Sequence, residues 1–165
     1  AIKPAALYSE TGAVGILATK GTLTSALFEK TANEYRQKIT VIEQDGEGLV
    51  SLIEKGKINS LELENLLTKY LKPMLNFNVD HLVLGCTHYP YLIPQIKKII
   101  GNKIQIIDSG EAVAKQTKAI LIKNHLFCNE KHINPHQFYI NIDKSVLEKM
   151  LVDVSVSFTI EELAF

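Results

Sequence analysis

The chain has 165 residues, 46% of them hydrophobic and 22% charged, the proportions of a soluble globular fold that can bury a real core. Lysine plus arginine equals aspartate plus glutamate at 18 each, so charge gives no argument for nucleic acid or an anionic membrane as partner. No apolar run approaches the ~20 residues that span a bilayer, and the first six residues lack the tripartite form of a secretory signal.

In chain order, Ala13-Val14-Gly15-Ile16-Leu17-Ala18 is a continuous apolar run and predicts a central strand, with a polar turn at Thr19-Lys20-Gly21-Thr22. A helical pattern starts at Leu23, Ala26 and Leu27 and extends to about residue 37. Residues 39–42, rich in β-branched side chains, predict the next strand, and residues 44–48 a loop. Leu49, Val50 and Ile53 mark a short helix ending at Gly56. Asn59, followed at the third position by Glu62, predicts an N-cap. After it Leu63, Leu66, Leu67, Tyr70, Leu71 and Met74 form an amphipathic stripe.

A strand is expected at 82–85, then a helix from about Ile93 with Pro94 in its first turn and Gly101 at its end. Residues 104–107 predict another strand, and Asp108-Ser109-Gly110 opens a helix with Val113, Thr117, Ile120 and Leu121 on one face. Residues 124–136 read as loop and 138–140 as strand. Ser145 with Glu148 predicts a capping box. Val152, Val154, Val156 and Phe158 alternate with polar residues, as a half-buried strand does. Strand and helix alternate throughout. The fold class is therefore α/β, a mainly parallel sheet flanked by helices.

The chemistry concentrates in Leu82-Val83-Leu84-Gly85-Cys86-Thr87-His88-Tyr89-Pro90. A buried parallel strand ends there in a cysteine, a threonine and a histidine, at the sheet edge where open α/β folds bind ligands. A thiol beside an imidazole suits a tuned nucleophile or proton-transfer base, although free cysteine is also a common core residue. Cys86 and His88 are too few for a zinc site. His125, Cys128, His132 and His136 mix ligand types without a tight cysteine pair or a helical histidine pair, so they read as a solvated loop. Thr19 and Thr22 can donate to a carboxylate or simply cap a turn. Gly12 with Gly15, and Gly46 with Gly48, carry neither a dinucleotide fingerprint nor a Walker lysine. Glu54 alone is a surface glutamate.

Leu84-Gly85-Cys86-Thr87-His88-Tyr89-Pro90 resembles the second cysteine motif of bacterial glutamate racemases, in the aspartate/glutamate racemase superfamily. Residues 15–22, the 107–111 segment Ile-Asp-Ser-Gly-Glu and the 137–140 segment Gln-Phe-Tyr-Ile resemble further stretches of that family, in the same order and spacing. The resemblance implies interconversion of L- and D-glutamate without a cofactor, supplying D-glutamate for peptidoglycan. One thiolate removes the α-proton and an opposite thiol returns one. It implies that Cys86 is the base and acid on one face. His88 then assists it, by tuning the thiol or protonating the substrate, and Glu54 pairs with His88. Thr87, Thr19 and Thr22 hold the substrate, and no metal takes part.

Departures from the family are equally specific. The aspartate-serine and cysteine-asparagine-threonine motifs of the family's first half are absent from this sequence, and Cys128 sits in no such motif. Ahead of Glu54 stands Asp45-Gly46-Glu47, where many members have Ala-Cys-Pro. The chain is therefore expected to be the C-terminal part of a racemase, incomplete and inactive alone. Residues 1–107 would form the family's second domain, and residues 108–165 would complete the first. Homo-oligomerisation or association with a missing N-terminal half is the expected partnership, and two cysteines suit the cytoplasm. An aspartate or other acidic amino-acid racemase, or a non-catalytic acidic-ligand-binding fragment, is the alternative.

Overall fold

The computed structural model describes residues 2–129, 134–141 and 143–164. Its centre is β1 (Ala13–Ala18), every residue of which is buried. Four parallel strands run in the order β2 (Thr40–Asp45), β1, β3 (His81–Gly85), β4 (Gln105–Ile107). Side chains alternate across a strand, so β1 feeds two cores at once. Val14, Ile16 and Ala18 join Val83 of β3 beneath α1 (Ile2–Tyr8) and α3 (Ala26–Tyr35). Leu17, with Leu82 and Leu84, faces α4 (Leu49–Glu54), α5 (Leu61–Leu75) and α6 (Ile93–Ile100).

The chain leaves β1 toward β2 by way of α3, then crosses back over the opposite face to β3. The order of connection reverses between β1 and β3, which makes their carboxyl ends the switch point of the sheet.

The stripe on α5 buries Leu63, Leu67, Tyr70, Leu71 and Met74, with Leu66 half-buried. Each full aliphatic burial contributes about 1.5–3 kcal/mol over exposure. Its cap is Ser60, not Asn59: the Ser60 hydroxyl accepts from the Leu63 N–H at 3.2 Å, while Asn59 accepts from Gln95 Nε2 at 2.7 Å. Turning Leu63 inward sets the first turn, and the cap falls three residues before it.

Other boundaries move for equally local reasons. The 19–22 turn is a helical turn, α2 (Lys20–Leu23), capped by Thr19, and α3 starts afresh after its own cap, Ser25. β2 runs to Asp45 because β1 offers ladder partners that far, Ala18 lying opposite Asp45. The turn α1 carries no strong motif, yet its Ile2 and Ala5 are buried.

The amino edge of the sheet is tied by Asp80. Its carboxylate accepts from Ser9 Oγ (2.8 Å), the Glu10 and Thr11 N–H groups (2.6 and 3.0 Å) and His81 Nδ1 (2.9 Å). Burial alone would raise this carboxyl's pKa; the four donors outweigh it and hold the group well below the usual carboxylate range.

Beyond β4 the packing thins. α7 (Gly110–Lys123) buries no residue, and Val113, Thr117 and Ile120 of its expected inner face are exposed. β5 (His136–Ile140) pairs in parallel with β6 (Phe158–Glu162), where Phe138 and Phe158 meet edge-on at 6.0 Å. The strand expected from Val152 begins only at Phe158, because alternation becomes a strand where a partner backbone lies alongside. Val152, Val154 and Val156 stay exposed. Between these strands α8 (Lys144–Met150) is capped by Asp143, whose carboxylate accepts from the Ser145 N–H at 2.9 Å. The expected Ser145–Glu148 box is therefore displaced. No helix among the described residues is long and apolar enough to cross a membrane.

Candidate active site at the switch point

Strand register builds the site. Ala18 lies opposite Gly85, so Thr19 and Cys86 are the first residues past the carboxyl ends of neighbouring strands. Gly85 permits this approach: a Cβ there would sit 2.6 Å from the Ala18 Cβ. Val83 lies opposite Ile107, which brings Ser109 to the same edge. An open cleft of about 570 Å³ results, lined by Thr19, Thr22, Ser25, Cys86, Thr87 and Ser109, with Ile16 and Phe28 on its apolar wall. None of the described residues lining it is charged. A carboxylate entering it would meet hydroxyls and backbone N–H groups rather than lysine or arginine.

Thr19 and Thr22 hold each other, with hydroxyl oxygens 3.1 Å apart and the Thr22 N–H donating to Thr19 Oγ1. Two linked hydroxyls share one hydrogen bond, so one hydroxyl hydrogen is left for a ligand. Ser25 is committed elsewhere, donating to the Thr22 carbonyl at 2.8 Å and accepting from the Phe28 N–H.

Behind the cleft runs a chain of three side chains. Cys86 Sγ is 3.9 Å from His88 Nδ1, and His88 Nε2 is 3.2 Å from Glu54 Oε1. A carboxylate only accepts, so the pair with Glu54 puts a proton on Nε2 and leaves Nδ1 to face the thiol. A base oriented by a third group is the arrangement of an activated cysteine. The sequence places Glu54 more than thirty positions before the histidine, and α4 closes that distance.

The six residues expected at a site fall into two groups. Cys86, Thr87, Thr19 and Thr22 line one cleft, while His88 and Glu54 stand behind Cys86 without lining it. Ser109 is an addition, and its signal is positional: it stands two residues past the end of β4, at the same sheet edge as Cys86. No three His, Cys, Asp or Glu side chains converge as a metal site among the described residues. Of the histidine-rich loop, His132 lies outside the described residues and Cys128 is exposed.

Residues 1–117 match the profile of the family described as Asp/Glu/Hydantoin racemase. The chain is 40% identical over 151 residues to a glutamate racemase of Pseudomonas putida (strain W619), covering 92% of this chain and 57% of that protein. It thus spans little more than half the length of that relative. Among solved structures it resembles Escherichia coli glutamate racemase in complex with L-glutamate and the activator UDP-MurNAc-ala. The TM-score is 0.79 at 27% identity, over 99% of this chain and 62% of that one. Francisella tularensis glutamate racemase in complex with D-glutamate gives a TM-score of 0.77 at 25% identity, over 98% and 60%.

Proposed function

The chain belongs to the Asp/Glu/hydantoin racemase family, and on that premise we propose that it provides one catalytic face of a cofactor-independent glutamate racemase. The Cys86 thiolate removes the α-proton of one glutamate enantiomer, becoming a thiol, and in the reverse direction returns that proton. His88, held through Nε2 by Glu54, presents Nδ1 to the sulfur and supports its thiolate form. Thr19, Thr22 and Thr87 fix the substrate carboxylate with neutral donors, which stabilise negative charge as it spreads from Cα.

The opposite face needs a second proton donor. The family resemblance assigns it to a cysteine-asparagine-threonine motif that this sequence does not contain. We assign residues 1–107 to the domain carrying Cys86, and residues 108–165 to the completion of a partner domain. Association with such a domain covers the apolar side of α7 that this chain alone leaves exposed. The product, D-glutamate, serves peptidoglycan synthesis in the cytoplasm, whose reducing conditions keep the thiol free.

One observation carries this reading: Cys86 at the switch point, backed by His88 and Glu54, opens on a hydroxyl-lined cleft with no charged side chain among the described residues. The test is α-proton exchange of L- and D-glutamate in deuterated water, with this chain and with Cys86→Ser. Exchange of one enantiomer, lost in the variant, is the expected result. Exchange that survives Cys86→Ser removes the thiol from the mechanism, and absence of exchange in both removes the activity from this chain.

A further inference from the structure

Helix α4 delivers Glu54, yet it is short and its start is weakly held by its own sequence. Its N-cap is Gly48, at φ 83°, with no capping side chain. What fixes the helix comes from the residue after His88. Tyr89 is fully buried, and its hydroxyl donates to the Gly46 carbonyl at 3.1 Å. The same carbonyl accepts from the Leu49 N–H at 3.1 Å, and the Gly46 N–H donates to the Ala18 carbonyl at 2.9 Å. Gly46 is thus a junction between the end of β1, the start of α4 and the cysteine motif. Only glycine fits, since a Cβ there would collide with the Tyr89 hydroxyl.

The two ends of α4 are therefore gripped by adjacent residues: His88 at Glu54, Tyr89 just before the helix begins. We infer that Tyr89 is a positioning residue for the His88–Glu54 pair, acting through the Gly46 carbonyl and α4 rather than on any substrate. Tyr89 does not line the cleft. Burial, followed by the nearby Cys86 and Asp45 charges, pushes its phenol up, so it remains a donor throughout the neutral range. Helix α4 itself packs Leu49, Leu52 and Ile53 into the core beside Tyr89. It can rotate only slightly, but without the Tyr89 hydroxyl the Gly46 junction is held by one bond fewer, and the last turn of α4 is freer to shift by the fraction of an ångström that separates a hydrogen bond from a contact.

The inference rests on the reading of His88 as the support of Cys86, but its test needs no turnover. The two ring nitrogens of His88 are read by long-range proton–nitrogen correlation on the ¹⁵N-labelled chain, at about pH 8.5, where free imidazole is neutral. His88→Gln assigns the signals, and Glu54→Ala defines full loss of the pair. The intact chain is expected to show a protonated Nε2 and an unprotonated Nδ1. Tyr89→Phe keeps the ring and deletes the hydroxyl, and it is expected to move His88 at least halfway to the Glu54→Ala signature. The other described histidines should keep their signals.

Gly48→Ala strains the left-handed start of α4 without touching Tyr89, and it should move His88 in the same direction even if Tyr89→Phe does not fold. A folded Tyr89→Phe chain with the parent's His88 signature overturns the inference. So does an intact chain without the Nε2-protonated form. Missing α-proton exchange, by contrast, removes the activity from this chain and leaves this positioning result standing.

Discussion

Two helices of similar length carry similar apolar stripes and meet opposite fates. α5 presents Leu63, Leu67, Leu71 and Met74 to the parallel sheet and buries all four. α7 presents Val113 and Ile120, spaced just as a core helix would space them, and buries nothing. The difference lies in what surrounds them. The central strands β1 and β3 are buried under helices on both faces, whereas β5 and β6 form a two-stranded ribbon with a small aromatic contact. A two-stranded ribbon is marginal in water unless something packs on it. The lesson is that periodicity records a face's need for a partner, not who the partner is.

The contrast is sharpest in truncation. Leu67→Ala, at a site with no exposure, should cost about 2–5 kcal/mol in denaturant unfolding. Ile120→Ala, at 45% exposure, should change stability by no more than about 0.5 kcal/mol. An Ile120→Ala loss as large as that of Leu67→Ala would show that the α7 face is covered in solution, which breaks the comparison.

The same contrast explains what the sequence could reveal. β1 was readable to the residue because a strand buried on both faces is apolar throughout, from Ala13 to Ala18. The edge strand β2 extends beyond the β-branched run at 39–42, since Glu43, Gln44 and Asp45 join it through pairing with β1 and not through composition. After β4, local patterns lost their guide. A Val-rich alternation at 152–158 yielded only its final Phe158 to a strand, because pairing with β5 decides where the backbone extends.

The site divides likewise. Cys86, Thr87 and His88 are contiguous and stand out. The meeting of Glu54 with His88, however, was expected only from the family resemblance. The position of Ser109 follows from a strand register that a motif does not encode.

Within the covered region the two sheet edges also differ, and Asp80 sharpens that second contrast. Its carboxylate ties the 9–11 turn and His81 at the edge away from the cleft. Asp80→Asn turns an amide N–H₂ toward N–H donors and should cost about 1–3 kcal/mol. The pH dependence follows from the direction of its shift. The folded-state pKa is depressed below the ordinary 3.8, so the charged carboxylate's contribution is complete above that value. It is lost as pH falls through the folded value. Unfolding free energies of parent and variant should therefore differ by a constant amount above about pH 5 and converge below about pH 4. A difference unchanged down to pH 2 would mean that the carboxylate's charge does not tie this edge.

Glu54→Gln, at the cleft edge, should have the smallest effect on stability. The Glu54 side chain is 42% exposed and that of His88 26%, so water already screens the pair and its net contribution stays within about 1 kcal/mol. Thermal melts of parent and variant should nearly superimpose. A glutamine can still accept from Nε2 but brings no charge to the imidazole, so the loss should appear instead in α-proton exchange. A decrease of about 10- to 100-fold is expected, the scale by which outer partners act on metal-bound histidines. Small stability cost with large exchange loss places Glu54 in the chemistry. A large stability cost would instead assign the pair to the fold, making the cleft edge no different from the edge that Asp80 ties.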